Sequence, residues 1–521
     1  MFLQTYVPLS PVVWSVLLAV LPLVLLCLLL ATAWMKPPGV YGVTLLLTIA
    51  LAGGVWNMPM GMITSTVLYG VLFALFPLFY MIWSSLLLFR VAEKCRYIDS
   101  IQNTLKSAEN GIEWKVLLVG FGLTAFIDST AGFLAPITIV TALLSQLGVD
   151  REKSAVATLT SCAIPAVYGA VGVPILLLSQ VTGHPLTEIL RQSACYDFVP
   201  AMAAPFLTCL ATCGWKSAKQ FLSPCLIGGF CYAAATLISV LYISPFLGGM
   251  IGAGVYIAVI VLLAKNRRIF TEKWLAKQFL KSWWPFVLLT LCVMIWNLPI
   301  VQTALLRIGR DWPIPMLDKL VITQAPFGHG ALSAVWKGQV AASAGTAMIA
   351  ASLLTALTSG MGWRAWFQIF ISSLYSMRWV AFNLSMICSV GFLLVYSGIA
   401  GTLAYPFQHM AAGYLLIAPL MGWLGTFLTG SNAASIALFG GLQTFAAQMV
   451  RLPPSGIAAC FAVAAVGGKM IAPQALEVAV QSAGLSSGSE SKLLKRLAGF
   501  SLFVPLLSSV VASVWKLAGM T

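Results

Sequence analysis

The sequence predicts an all-α polytopic membrane protein, and three observations carry that expectation. Of 521 residues, 60% are hydrophobic and only 8% charged, and the mean hydropathy is +0.95. A soluble domain carries about 25% charged residues, so the composition argues against a soluble enzyme. Apolar runs long enough to cross a bilayer, which takes roughly 20 helical residues, recur along the whole chain. Basic residues gather in the short stretches between those runs, the pattern that sets membrane orientation.

The first run, "VVWSVLLAVLPLVLLCLLLATAW", is too long and too little flanked by basic residues for a cleaved signal peptide, so it reads as a retained span. The net charge of +15 belongs to the loops and points to membrane lipid, not to nucleic acid. The 11 cysteines are scattered through apolar segments, and even "CLATC" at 209–213 lacks acidic or histidine neighbours; no metal site, disulfide framework or cofactor is implied. Two short motifs are decoys. "GLSSG" at 484–488 fits a nucleophile elbow but lies in a polar loop with no histidine after it. "GGKM" lacks the earlier glycine and the Ser or Thr of a phosphate loop.

Placing the basic loops in the cytoplasm (Lys36; Arg90 to Lys106; Arg151 and Lys153; Lys216 and Lys219; Lys265 to Lys281; Arg364; Lys492 to Arg496) predicts spans near 10–34, 40–56, 63–89, 154–182, 189–214, 220–243, 247–264, 283–300, 339–360, 378–398, 454–483 and 498–518. That is about twelve, with both termini outside. The segment 301–337 carries Arg307, Arg310, Lys319 and Lys337 yet falls outside; Asp311, Asp318 and its prolines suggest an ordered external piece.

Two apolar stretches do not fit as spans. Residues 114–148 begin and end beside cytoplasmic charge, and their two short arms flank "DSTAG". Residues 412–449 repeat the plan from the outside, with arms flanking "TGSN". Both read as re-entrant helical hairpins. A carboxylate at bilayer depth costs roughly 2.5–3.5 kcal/mol on insertion scales, and the hairpin reading places Asp128 at a tip where protein surrounds it.

The two halves resemble each other. "FIDSTAG" followed by "GAVGVP" parallels "FLTGSNA" followed by "GGKMIAP", with nearly the same distance from Phe126 to Pro174 as from Phe427 to Pro473. The copies have opposite starting sides. The chain therefore divides into a first inverted repeat at 1–216, linking helices and a basic loop at 217–282, and a second repeat at 283–521. Inverted repeats whose interrupted helices meet near the midplane are the architecture of secondary transporters. Non-helical backbone at that depth needs protein or an aqueous cavity around it, and helix N-termini at such breaks suit an anion.

At these motifs the sequence resembles the bacterial L-lactate permease family. "VLYGVLFALFPLFYMIW", "GFGLTAFIDSTAGFLAPITIVTALLSQLG", "GAVGVPILLLSQVTG", "YSGIAGTLA", "GWLGTFLTGSNAASIALFGGLQ" and "GGKMIAPQ" fall in the family's order across nearly the whole chain. The resemblance implies proton-coupled uptake of lactate, often with glycolate as another substrate, through the inner membrane, on a hairpin-bearing fold shared with other organic-anion transporters. This chain departs from the family at three places. Similar members usually read Phe-Leu-Glu-Gly-Ala-Ala-Gly where this one has "FIDSTAG", so Asp128 replaces a glutamate. They read Thr-Gly-Ser-Asp where it has "TGSN", so Asn432 replaces an aspartate. Their Asn-Thr-Ala-Pro becomes "CAIP" at 162–165.

Each candidate residue has a plain structural reading beside the functional one. Asp128 is either a helix cap or the proton-coupling group. Lys469 either snorkels to an interface or is the cationic partner of a substrate carboxylate or of Asp128. Ser129, Thr130, Thr429, Ser431 and Asn432 offer neutral substrate-binding groups at the two tips, though hydroxyls also bond to their own helix backbone. Gly132, Gly430, Gly467 and Gly468, with Pro174 and Pro473, mark the helix breaks. Arg378 reads as an interfacial anchor, His184 and His409 as external surface groups, and Glu477 as cytoplasmic. The expected partners are a small carboxylate anion, protons and lipid. The rival class is a sensor or scaffold that kept the fold without transporting; a channel fits the two-fold inverted plan less well.

Overall fold

The computed structural model describes residues 1–32, 35–100, 111–130, 134–264, 283–486 and 488–517. Helices dominate, as they must where no water is present to satisfy a lipid-exposed backbone. Among the described residues, eight of the twelve runs expected from the sequence form helices long and apolar enough to cross a bilayer, from Val12–Leu30 to Ser489–Lys516. The other four are shorter or broken. Gly248–Leu263 and Ala344–Thr358 have 16 and 15 residues. Trp284–Trp296 and Pro299–Leu306 meet at a bend of 72°. The run near 154–182 splits into Arg151–Ser161, a 3-10 turn Ile164–Tyr168, and Gly169–Thr182.

The second hairpin is a pair of helices, Tyr414–Thr429 and Asn432–Met449, joined through Gly430 at φ +69°, a left-handed turn that glycine adopts at no steric cost. In the first, Ile112–Lys115, a π-helical stretch Val116–Leu123 and Thr124–Thr130 run to the tip, and Ala135–Gln146 returns. Gly132 lies outside the described residues. Behind the second hairpin sits Pro454–Ala465, buried along its length. Its alanine-rich surface lets neighbours approach closely, the packing mode of helices in lipid.

The helix beginning at Met60 kinks at Phe76 (φ −141°, ψ 123°) ahead of Pro77. Proline has no N–H and cannot continue the ladder. Trp336 Nε1 donates to Leu72 O (3.2 Å) and Phe76 O (3.1 Å), so carbonyls at the kink find a partner from the far half of the chain. Trp336 is on a strand, Val335–Gly338, that pairs antiparallel with Arg310–Pro313. Val321–Ile322 pairs in parallel with Phe2–Leu3. Asp318 Oδ1 accepts from Ala334 N at 2.8 Å. Segment 301–337 is thus built, not a loose loop, and it ties the N-terminus to the second half.

On the face that the charge count assigns to the cytoplasm, Glu152 holds Lys492 (2.6 Å) and Arg496 (3.0 Å). The Lys492 hydrogen bond, more than any other contact, holds the Glu152 carboxyl below the usual glutamate range. An amphipathic helix, Trp363–Ser376, interrupts the expected pattern. Trp363, Phe367, Ile371 and Tyr375 are exposed along it, the arrangement of a helix lying in a membrane interface. Arg378 follows it, its guanidinium 3.9 Å from the Tyr375 ring centroid.

Candidate functional site

Asp128 lies in the last turn of Thr124–Thr130, and Lys469 lies in the 3-10 turn Val466–Ile471 that continues Pro454–Ala465. Lys469 Nζ is 2.6 Å from Asp128 Oδ1, with the side chains 7% and 0% exposed. A lysine reaches this depth because its backbone is pressed against a neighbour. A Cβ on Gly468 would run into Trp423 O and Phe427 N, and one on Gly467 would stand 2.8 Å from Ser501 O. Ser501 Oγ donates to Gly467 O at 2.7 Å, and Trp423 Nε1 donates to Ser501 Oγ at 2.7 Å. The turn that carries Lys469 is therefore fixed from behind.

The pair borders a cavity of about 70 Å³, lined also by Ser431, Asn432, Gly169 and Pro174. A buried water needs roughly 10–15 Å³ of such space, so the cavity has room for a few water-sized groups. Two helices begin at it. Asn432–Met449 starts with Ser431 as N-cap, its Oγ accepting from Ala434 N at 3.3 Å. Gly169–Thr182 starts beside Asp128: a Cβ on Gly169 would stand 3.1 Å from Asp128 Oδ2. Helix N-termini favour negative charge.

Among the described residues, Asp128 Oδ2 and both amide atoms of Asn432 have no hydrogen-bond partner, and Asn432 is 6% exposed. Buried polar atoms left open cost about 1–3 kcal/mol each. Here they are gathered on one small cavity with one lysine. That set can bind a carboxylate at Lys469 and a hydroxyl at the Asn432 amide. Among the described residues, no cluster of His, Cys, Asp and Glu could hold a metal ion.

The structure thus brings together Asp128, Lys469, Ser431, Asn432, Gly430 and Pro174 around one cavity. It turns the other hydroxyls away. Ser129 Oγ donates to Ala125 O (2.7 Å), Thr130 Oγ1 to Phe126 O (3.0 Å) and Thr429 Oγ1 to Gly425 O (2.7 Å). Gly467 and Gly468 lie behind Lys469, and Pro473 opens the next helix, Pro473–Ala483. His409 bonds to Gln408 (2.8 Å) and Glu477 accepts from Gln481 (3.1 Å), both at exposed positions. Sequence reasoning met Gly169 only as part of the "GAVGVP" break, and it missed Asp197, 3% exposed on Leu186–Cys213, with Oδ1 unpartnered among the described residues. The signal for Asp197 was present: "CYDFVP" is an acid within an apolar run, as "FIDST" is.

The chain is similar to known proteins along nearly its whole length. The L-lactate permease family pattern matches residues 15–517. An L-lactate permease of Salmonella typhimurium is 30% identical over 98% of this chain and 97% of its own. The glycolate permease GlcA of Escherichia coli is 28% identical over the same shares. The solved structure of Neisseria gonorrhoeae MtrF, from a class of antimetabolite efflux pumps, aligns over 92% of this chain and 95% of its own, with a TM-score of 0.49 at 11% identity. With a family match across nearly its entire length, the chain belongs to the L-lactate permease family.

Proposed function

We propose that the protein is a secondary active transporter that carries lactate, or a related small monocarboxylate such as glycolate, together with a proton across the bacterial inner membrane. The observation that carries the reading is the buried Asp128–Lys469 pair on the border of a small cavity that both hairpins line. Relatives named for lactate and for glycolate transport support the substrate class.

The pair suggests how one proton accompanies one anion. An arriving carboxylate competes with Asp128 for Lys469. Removing one partner of a buried ion pair costs roughly 3–5 kcal/mol, because a charge is left uncompensated. If Asp128 takes a proton as it releases Lys469, no net charge is added to the site. The loaded carrier then moves a neutral sum, where an unaccompanied anion would oppose about 2.3 kcal/mol per 100 mV. On the opposite side, loss of the proton restores the Asp128–Lys469 contact and expels the substrate. Asn432 and the N-terminus of its helix orient the substrate without titrating.

The same reading includes two inverted repeats (1–216 and 283–521, joined by 217–282), about twelve spans, and re-entrant hairpins at 114–148 and 412–449 whose tips face one another at the cavity. Both termini lie outside. Counterflow of labelled lactate in proteoliposomes tests it. Exchange that depends on trans substrate requires a carrier; a protein that binds lactate but does not exchange it is a sensor or scaffold.

A further inference from the structure

A second cavity of about 560 Å³ stands above the small one, on the face that the charge count assigns to the outside. Its walls come from both halves: the kink at Phe76 and Pro77, the end of Gly169–Thr182 with His184, Trp296, and the strand residues Trp336 and Lys337. Its floor backs onto the inner cavity, since Met81 lines the one and Ile82 the other, and Leu176 the one and Pro174 the other. Among the described residues no acidic side chain lines it, while Lys337 does. His184 Nε2 is buried with no hydrogen-bond partner among the described residues. Trp336 is fixed by its two bonds at the kink, so that aromatic wall is preformed. An apolar chamber of 300–1,000 Å³ with a few polar groups is the usual form of a small-molecule site.

We propose that this vestibule is an outer binding site for monocarboxylates with a bulky aromatic side chain, the carboxylate held by Lys337 and His184 and the ring packed against Trp336 and Phe76. Such an acid fits the outer chamber and cannot fit the inner cavity. It is therefore held and not transported, and it blocks access for smaller acids. The blocking part rests on the transport reading; the binding part does not.

The test uses the full chain and 3-phenyllactate as the probe. Labelled phenyllactate should bind saturably to purified protein, should not accumulate in proteoliposomes, and should inhibit lactate counterflow from the vestibule side. Lys337→Gln and Trp336→Ala should each weaken its binding about tenfold, the scale of one lost charge-assisted or aromatic contact. Should either variant fold poorly, Ala342→Cys supplies a second readout: Ala342 lines the vestibule, and bound phenyllactate should protect that thiol from a bulky maleimide. Phenyllactate accumulating as lactate does, binding unchanged in both folded variants, or an unprotected Cys at 342 overturns the proposal. Binding that depends on Lys337 in a protein that exchanges no lactate would instead overturn the transport reading and leave the outer site standing.

Discussion

Lys469 and Asp128 are 341 positions apart in sequence and 2.6 Å apart in the fold. Their contact closes the second half of the chain onto the first. Because both are buried, stability should depend on the pair and not on either charge alone. Lys469→Met should cost roughly 3–5 kcal/mol by leaving Asp128 uncompensated. Adding Asp128→Asn should recover most of that loss. Thermal unfolding of the purified single and double variants checks this; additive losses would mean that the two charges do not interact energetically.

The side chains at the tips differ in where they point, and binding should follow. Asn432→Ala should weaken lactate binding by about 1–3 kcal/mol, because it removes unpartnered polar atoms beside the cavity. Thr130→Val, whose hydroxyl is bonded back to Phe126 O, should change binding by less than about 0.5 kcal/mol. Isothermal titration separates them. Equal effects would place the hydroxyl in the site after all.

The turn beneath Lys469 should tolerate no added carbon. Gly468→Ala meets backbone atoms of Trp423 and Phe427, which cannot swing aside, and overpacking of this kind costs typically 1–3 kcal/mol. Gly254→Ala has open space around it and should be neutral or stabilising, since alanine exceeds glycine by about 1 kcal/mol in a helix. A lower melting temperature in the first variant only is the expected result.

The Glu152 clamp predicts a pH dependence whose sign follows from its depressed folded value. The stability it contributes is present above the ordinary glutamate pKa of about 4.3 and is lost as pH falls through the lower folded value. Glu152→Gln should therefore be less stable than the native chain at pH 7, by under about 1 kcal/mol for so exposed a pair. The difference should close in acid and in high salt. A stability difference that stays constant across pH and salt would mean that the clamp is only a packing contact.

Much of the fold was legible because lipid imposes a simple rule on composition: apolar runs become helices, and the exceptions stand out. "TGSN" betrayed a turn between two helices, and Gly430 takes the left-handed conformation there. Trp363–Ser376 was hidden by Arg364, which made the segment look like a loop boundary, and by an apolar face that lies along a surface instead of crossing. The pairing of Phe2–Leu3 with Val321–Ile322 was also hidden, because nothing local in either segment specifies so distant a partner. In the site, Asp128 and Lys469 were readable as charges that burial must explain. The hydroxyls were not, since Ser129 and Ser431 look alike in sequence and differ only in which backbone group they meet. Gly169 was visible only as the first residue of the "GAVGVP" break; that it leaves room beside Asp128 Oδ2 depends on a contact no local pattern specifies.

The central claim is that Asp128 takes the proton that moves with the anion. Lactate uptake into proteoliposomes driven by an imposed pH gradient, measured for the native chain and for Asp128→Asn beside counterflow of both, tests it most directly. The account predicts that the Asn variant exchanges lactate but no longer concentrates it when the outside is acidified. An Asn variant that still accumulates lactate against its gradient would contradict it, leaving Asp128 as a structural partner of Lys469.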